Sequence, residues 1–329
     1  MLILSKEEIQ HALPMKQAIE ATKAAYVALS SGKAVVPQRI HLLIPQHEGM
    51  SLFMPAYLQY DSQEALAVKT VSVFPHNAEQ ELPIIHGAVL VLDAETGRAV
   101  ALLEGGSLTA IRTGAASGAA TDILSRPDSQ IVAIFGAGIQ GRTQLEAICT
   151  VRSIEKVFVY DPQPDMVREF ITEMAGSGSI PGNIQPAQSP QQAIAAADVI
   201  CCATTSKSPV FQDKHLKPGV HINGVGSFTP EMQEIPAQSI ARSALFVDSR
   251  PAALHEAGDI ILPIKEGLIS ESHIQAEIGE ILLGEHPGRV DSEQITFFKS
   301  VGVAVQDAAA AHLALINATR LGFGQEVTL

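Results

Sequence analysis

The arrangement of hydrophobic and polar residues along the chain changes character after Leu124. Before that point, short apolar runs rich in Val, Ile and Leu alternate with turn residues, as is typical of strands. The runs between Ile40 and Leu92 are "RIHLLI", "LFMPAYL", "ALAVKTVSVF" and "GAVLVLD". They follow a short strand, "MLIL", and a capping box of Ser5 and Glu8 that predicts a helix towards Leu29. This part therefore predicts an α+β arrangement with a mostly antiparallel sheet.

Beyond Leu124, β-rich runs alternate with helical segments. The strand-like runs are "IVAIF", "KVFVYD", "DVICCAT", "GVHINGVG", "ALFVDS" and "ITFFKS". Such alternation predicts a doubly wound parallel sheet. A helix from Val303 to about Leu321 is too apolar to stand alone, so we expect it to pack on the first part. The fold class is therefore α/β, with a Rossmann-type domain at 119–302 and a discontinuous α+β domain at 1–118 and 303–329.

Composition and charge narrow the classes of function. The chain has 329 residues, of which 46% are hydrophobic and 17% charged, and a net charge of -13. A negative field repels nucleic acid and anionic membranes, so neither is expected as a partner. The three cysteines have no metal-ligand spacing and indicate a reduced, cytoplasmic protein. No secretion signal, membrane span or metal site is predicted.

A glycine-rich turn carries the strongest local motif. "GAGIQG" stands directly after the strand "IVAIF" and opens a helix, and Asp161 ends the next strand. In a dinucleotide-binding fold the glycines admit the pyrophosphate and the acidic residue binds the adenosine ribose. A carboxylate there repels a 2′-phosphate, so NADH is favoured over NADPH. The residues predicted to contact the cofactor are Gly136, Gly138, Ile139, Gln140, Gly141, Asp161 and Thr204, the last on the nicotinamide side.

Two cations lie in apolar surroundings. Lys69 is in a strand whose two faces are both largely apolar, and Arg112 is in a helix of small residues, "SLTAIRTGAASGAATDIL". An edge lysine with an exposed amino group would explain the first, and a buried ion pair the second. Together with Arg39, they could instead bind a substrate carboxylate and hold a reacting group. Spacing alone cannot bring them together.

The motifs as an ordered set resemble the ornithine cyclodeaminase/mu-crystallin family. They are "VPQR", "LAVKTVSVFPHN", "LPIIHGAVLVLDAETG", "LTAIRTGAASGAAT", "GAGIQG", "VYD" and "FKSVGVAVQDAAAA". The resemblance spans nearly the whole chain and implies a homodimer whose discontinuous domain binds substrate and forms the dimer contact. It implies that Arg39, Lys69 and Arg112 line the substrate pocket, with Lys69 and Arg112 catalytic. His86 would lie near this pocket. We expect the partner of Arg112 to be a substrate carboxylate that the chain itself does not supply.

The sequence departs from the cyclodeaminase pattern at one position. Ornithine cyclodeaminases carry an aspartate two residues before a proline in the loop after a "GVG"-like strand end. Here Phe228 stands two residues before Pro230. Phenylalanine cannot accept a proton and offers an apolar wall to the substrate.

This departure favours an NAD(P)H-dependent reductase of cyclic imino acids, converting Δ1-pyrroline-2-carboxylate to L-proline. Ornithine cyclodeaminase, alanine dehydrogenase and a non-catalytic mu-crystallin-like binding protein are the alternatives.

Overall fold

The computed structural model describes residues 1–60 and 63–328, which form two compact units. The first unit comprises Met1–Arg112 and Val303–Leu329, and the second comprises Thr113–Gly302. The first unit is therefore discontinuous in sequence. The division passes within a helix, a few residues before the boundary expected after residue 118.

Helices and strands are numbered in chain order. The helices are α1 (Lys6–Ala12), α2 (Met15–Ser30), α3 (Gly105–Leu124), α4 (Ile139–Val151), α5 (Pro164–Met174), α6 (Pro190–Ile194), α7 (Ala237–Ala241), α8 (Arg250–Glu256), α9 (Gly258–Lys265), α10 (Ile278–Leu282) and α11 (Ala304–Leu321). The strands are β1 (Leu2–Leu4), β2 (Ala34–Val35), β3 (Ile40–Ile44), β4 (Gly49–Tyr60), β5 (Gln63–Val73), β6 (Ile85–Leu92), β7 (Ala99–Glu104), β8 (Ile131–Phe135), β9 (Lys156–Tyr160), β10 (Ile184–Pro186), β11 (Val199–Cys202), β12 (His221–Gly224), β13 (Ala244–Val247), β14 (Ile274–Glu277), β15 (Thr296–Lys299) and β16 (Gln325–Glu326).

The first unit is built on a mixed, mostly antiparallel sheet. Its strand order is β16-β1-β7-β6-β5-β4-β2, and β3 also pairs with β4. Only β1 and β7 pair in parallel among the described strands of this sheet. The buried face of β5 carries Ala65, Ala67 and Lys69, and α11 packs on this sheet. The expected packing of the last long helix on the N-terminal part is confirmed.

One N-terminal helix was expected, but the structure has two. The predicted capping box forms at the start of α1, where Ser5 accepts from the backbone of Glu8. The helix then ends at Ala12, because Leu13 has the non-helical angles φ -124° and ψ 66°. A proline disfavours helical backbone in the residue before it, and Pro14 follows Leu13. Pro14 then precedes α2, where its missing N–H costs nothing.

The second unit contains the predicted doubly wound sheet. Its eight strands run in the order β10-β9-β8-β11-β12-β15-β13-β14, and every pairing is parallel. The carboxyl ends of parallel strands meet at one edge of the sheet, which is where ligands bind in such folds. The loops after β8, β9, β11 and β12 therefore share this edge. Among the described residues, no helix is long and apolar enough to cross a membrane.

Candidate active site

A buried carboxylate in the first unit holds both cations that the sequence singled out. The side chain of Asp307, on α11, lies 2.8 Å from Lys69 Nζ and accepts a hydrogen bond of 2.9 Å from Arg112 Nε. Lys69 is 2% exposed and Arg112 6%. Strand alternation puts Lys69 on the buried face of β5, whereas Arg112 comes from α3. Residues distant in sequence thus form one ion cluster.

Burial and neighbouring charges set the protonation of this cluster. Burial, with a smaller effect from Arg112, lowers the pKa of Lys69 to about 8, although Asp307 opposes the change. Burial alone would raise the pKa of Asp307, but Arg112 and Lys69 lower it overall. Asp307 is therefore a carboxylate at neutral pH. Lys69 carries a proton at neutral pH and loses it more readily than an ordinary lysine does.

The expectation that the chain supplies no partner for Arg112 is wrong. Asp307 provides one, and Gln306 Oε1 accepts a second hydrogen bond of 3.3 Å from Arg112 Nη1. Gln306 is itself held by a hydrogen bond from its Nε2 to the Tyr26 hydroxyl. These contacts fix the guanidinium in place. These two contacts use Nε and Nη1, so Nη2 is the guanidinium nitrogen that we expect to contact a ligand.

Arg39 and His86 differ in their relation to this cluster. Arg39 is half-buried and close enough for its charge to contribute to the lowered pKa of Lys69. His86 is exposed and pairs with Ser72, whereas Lys69 pairs with Val89. Ser72 is three positions after Lys69, an odd number, so strand alternation puts His86 on the opposite face of the sheet. The structure therefore brings Arg39 near Lys69 but does not bring His86 there.

Asp307 is the residue that sequence reasoning missed. It stands inside the quoted block "FKSVGVAVQDAAAA", but it received no role. Its signal was that it is the only acidic residue of α11, in an otherwise apolar stretch. A buried acid in a helix calls for a cation, and Lys69 and Arg112 were the two unexplained ones.

In the second unit, the glycine turn has the geometry that a dinucleotide requires. Gly136 has a φ of 94°, which side chains disfavour, and a Cβ on Gly141 would collide with the carbonyl oxygen of Gly136. A Cβ on Gly138 would meet nothing within 4 Å, so space is open in front of the turn. Gly138 precedes α4 without a side-chain cap, and the helix N-terminus faces this opening. Ile139 is 71% exposed beside it, and Gln140 is half-buried.

A cleft of about 540 Å³ adjoins the turn. Gly136, Gly138, Asp161 and Thr204 line it together with residues after β9 and β11. The Asp161 carboxylate accepts from the backbone N–H groups of Ala137 and Gln163, both at 2.9 Å, and is partly exposed. These bonds orient the carboxylate at the end of β9 and leave acceptor capacity for ribose hydroxyls. The residues fit an adenine dinucleotide.

Phe228 lies in the loop after β12 and is 53% exposed. An exposed aromatic ring at the carboxyl edge of the sheet is available to a ligand. Among the described residues, no group of three or more His, Cys, Asp or Glu could hold a metal ion.

Known proteins resemble this chain over its full length. The profile of the Ornithine cyclodeaminase/mu-crystallin family matches residues 1–319. A Delta(1)-pyrroline-2-carboxylate reductase from Bacillus cereus is 38% identical over 328 residues, with 99% of each chain covered. The solved Delta(1)-pyrroline-2-carboxylate reductase of Thermococcus litoralis, in complex with NADH and L-proline, is 44% identical with a TM-score of 0.93, covering 99% of this chain and 100% of that one. An archaeal alanine dehydrogenase dimer with bound NAD is 30% identical with a TM-score of 0.91, covering 100% of this chain and 99% of that one.

Proposed function

We propose that this chain, which belongs to the ornithine cyclodeaminase/mu-crystallin family, is an NADH-dependent reductase that converts Δ1-pyrroline-2-carboxylate to L-proline. One observation carries the proposal. Two buried cations, Lys69 and Arg112, share a single carboxylate, Asp307. The cluster therefore has a net charge of about +1 where water is scarce, and a buried charge needs a counter-ion. A substrate carboxylate supplies it.

Arg112 and Arg39 hold that carboxylate. Arg112 Nε and Nη1 are bound to Asp307 and Gln306, which presents the other edge of the guanidinium in a fixed direction. A guanidinium held in this way binds a carboxylate without first losing side-chain entropy. Arg39 adds a second positive charge near Lys69. A bound carboxylate fixes which part of the substrate faces the reacting groups.

The reduction adds a hydride to the imine carbon and a proton to the imine nitrogen. NADH, when bound, supplies the hydride. Lys69 orients the imine nitrogen and relays the proton, and its pKa of about 8 suits proton transfer near neutral pH. Asp307 stabilises the protonated amino group of Lys69 before the proton is transferred. After transfer, Lys69 regains a proton from water.

The second unit binds the cofactor. The open space before Gly138 and the uncapped start of α4 receive the pyrophosphate, because helix N-termini attract anions. Asp161 binds the adenosine ribose hydroxyls and repels the 2′-phosphate of NADPH. The similar reductase from Thermococcus litoralis was solved with NADH and L-proline, which supports both the cofactor and the product.

Phe228 favours imine reduction over ornithine cyclisation. Its ring offers an apolar surface and no group that can accept a proton from a substrate ammonium. Ornithine cyclodeaminase activity would release ammonia from ornithine without net NADH consumption. Alanine dehydrogenase activity would require pyruvate and ammonia. A binding protein without catalytic function would bind NADH and turn over none of these substrates.

The assembly that we propose is a homodimer formed through the first unit. Apolar side chains are exposed on β2, β3 and the start of β6, including Ile40 at 62%, Leu43 at 67% and Ile85 at 60%. A monomer rarely exposes such a group of residues, and an exposed edge strand invites pairing. Sedimentation of Leu43→Lys, compared with the unmodified protein, tests this contact. We also propose a cytoplasmic location, where the three buried, unbridged cysteines stay reduced.

Two alanine variants test the function. Arg112→Ala and Lys69→Ala should each lower kcat/KM for Δ1-pyrroline-2-carboxylate by about 100-fold or more, as expected for loss of a charged substrate contact or a proton relay. Arg98→Ala, an exposed arginine of the same unit, is the control and should leave it unchanged. If both variants keep near-normal turnover while folded, the proposed site is wrong.

A further inference from the structure

A fully buried carboxylate in the second unit joins two loops at the carboxyl edge of the sheet. Glu234 Oε1 accepts from the backbone N–H and the hydroxyl of Thr204, at 2.6 and 2.7 Å. Glu234 Oε2 accepts from the backbone N–H groups of Gly226 and Ser227, at 2.6 and 3.0 Å. Thr204 follows β11, whereas Gly226 and Ser227 follow β12. One side chain therefore holds both loops.

Glu234 is itself held by a buried ion pair. Asp259 Oδ1 accepts from the backbone N–H groups of Glu234 and Ile235, at 2.8 and 3.0 Å. Lys299 Nζ lies 3.2 Å from Asp259 Oδ2, and neither side chain is exposed. The Ser227 hydroxyl donates to Met232 O and accepts from Asp259 N–H. This network fixes the position of the Glu234 backbone, and so the direction of its carboxylate.

The two loops are in close backbone contact with each other and with the glycine turn. A Cβ on Gly226 would collide with the backbone of Thr204, and one on Gly136 would lie 2.5 Å from Ala203 O. Displacement of the Thr204 loop would therefore disturb the turn that receives the pyrophosphate. Thr204 lines the cofactor cleft, and Phe228 directly follows Ser227.

The charge on Glu234 matters to this arrangement. Three of its four donors are backbone N–H groups, which can only donate, so they favour the carboxylate form. Burial raises the pKa of Glu234 to about 7, against the opposing effects of Lys299 and the hydrogen bonds from Thr204. The titratable groups that face it are Lys299 of β15, Asp259 of α9, and Cys201 and Cys202 of β11.

We propose that Glu234 is a positioning residue of the cofactor site, which sets the affinity for NADH by holding the loop that carries Thr204 against the neighbouring loop of Gly226. The inference rests on the proposed NADH-dependent function, but only on its cofactor-binding part. Glu234 touches neither cofactor nor substrate in this proposal, and it acts through the two loops. If Glu234 only stabilised the fold, replacing it would lower the stability of the protein without a selective change in NADH binding.

Glu234→Gln is the variant that tests this role. The glutamine side chain has nearly the same volume as that of glutamate, but its amide NH2 group would face the N–H donors of one of the two loops. That loop would lose the oxygen that accepts its hydrogen bonds. The dissociation constant of NADH, measured from the increase in NADH fluorescence on binding, should rise about tenfold, as expected for one lost charge-assisted contact. At saturating NADH, the KM for the imine and kcat should stay within about threefold.

Asp248→Asn is the matched control. Asp248 is also buried and holds a loop at the same edge, because it accepts from Ser300 Oγ and from the N–H groups of Val301 and Gly302. It should lower the melting temperature and leave the NADH dissociation constant unchanged. Equal losses of NADH affinity in both variants would overturn the proposal, as would a Glu234→Gln protein that is less stable but binds NADH normally.

If Glu234→Gln does not fold, hydrogen exchange of the unmodified protein tests the role of Glu234 instead. The amides of Thr204, Gly226 and Ser227 should be protected from hydrogen exchange in the cofactor-free protein, and lowering the pH through the Glu234 pKa of about 7 should weaken both this protection and NADH binding. Exchange at the rate of an open loop would overturn the proposal. Failure of imine reduction alone would refute the proposed substrate, while leaving these NADH-binding and exchange results to stand.

Discussion

Replacing Asp307 by asparagine perturbs the centre of the ion cluster with almost no change in volume. The carboxylate lies 2.8 Å from Lys69 Nζ and 2.9 Å from Arg112 Nε, and all three side chains are buried. The asparagine amide would still accept one hydrogen bond but would carry no charge. Two cations would then face each other without a counter-ion in the first unit.

This geometry sets the size of two effects of the substitution, the loss of stability and the change in the pKa of Lys69. Removing one partner of a buried ion pair costs about 3–5 kcal/mol, and we expect about 3 kcal/mol because asparagine keeps a hydrogen bond. Asp307 opposes the lowering of the Lys69 pKa, so without its charge this pKa falls below its value of about 8. A fall of one unit corresponds to about 1.4 kcal/mol.

Denaturant unfolding and the pH dependence of kcat measure these two effects. If Lys69 relays the proton, kcat falls as the pH rises through the pKa of Lys69, and in Asp307→Asn this fall should occur at least about one pH unit lower. Asp248→Asn is the control, because it removes a buried carboxylate that is held by backbone N–H groups and Ser300. It should reduce stability without moving the pH profile. An Asp307→Asn enzyme with an unchanged pH profile would refute the role assigned to Lys69.

Three further predictions concern the same two sites. The pKa of Lys69 is about 8 in the folded protein and 10.5 in an ordinary lysine, so the unfolded chain binds more protons than the folded one between pH 8 and 10.5. The free energy of unfolding of the unmodified protein, relative to that of Lys69→Met, should therefore rise by about 3 kcal/mol from pH 8 to 10.5. Denaturant titrations measure this rise. Gly141→Ala should destabilise the protein because its Cβ meets Gly136 O, whereas Gly138→Ala should keep its melting temperature and lose NADH affinity because its methyl group enters open space at the turn. Calorimetry measures the melting temperatures, and fluorescence titration measures the NADH affinities. Unchanged NADH affinity in Gly138→Ala would show that the turn does not bind the cofactor. Asp161→Ala should raise the KM for NADH about tenfold by loss of a charged hydrogen bond to the ribose, with a smaller change for NADPH; equal changes for both in initial-rate assays would contradict the role of Asp161.

Local patterns predicted most of the fold. The strand pattern in 40–92, the strand–turn–helix at "GAGIQG" and the later β/α alternation all appear in the structure. The family resemblance inferred from the ordered motifs is confirmed by the match of the family profile to residues 1–319. These signals succeed because periodicity and turn chemistry act over a few residues. The end of the first helix before Pro14 could also have been predicted from the sequence, since a proline restricts the residue before it, but it was not predicted.

Long-range partners could not be predicted from the same information. Lys69 and Asp307 are 238 residues apart, and Arg112 and Asp307 are 195 apart, so no spacing rule joins them. The assignment of a substrate carboxylate as the sole partner of Arg112 failed for this reason. Glu234 was missed because a single glutamate in a loop carries no pattern, and its importance lies in four hydrogen bonds to backbone and hydroxyl groups that only the fold assembles. His86 was placed near the pocket by resemblance, whereas strand register puts it on the other face.

The most direct test of the central claim is NADH oxidation by the purified protein with Δ1-pyrroline-2-carboxylate, followed by the loss of NADH absorbance with chiral analysis of the product. The proposed reductase should form one L-proline for each NADH consumed, and should release no ammonia from ornithine under the same conditions. Ammonia release from ornithine without net NADH consumption, or NADH oxidation only with pyruvate and ammonia, would contradict it.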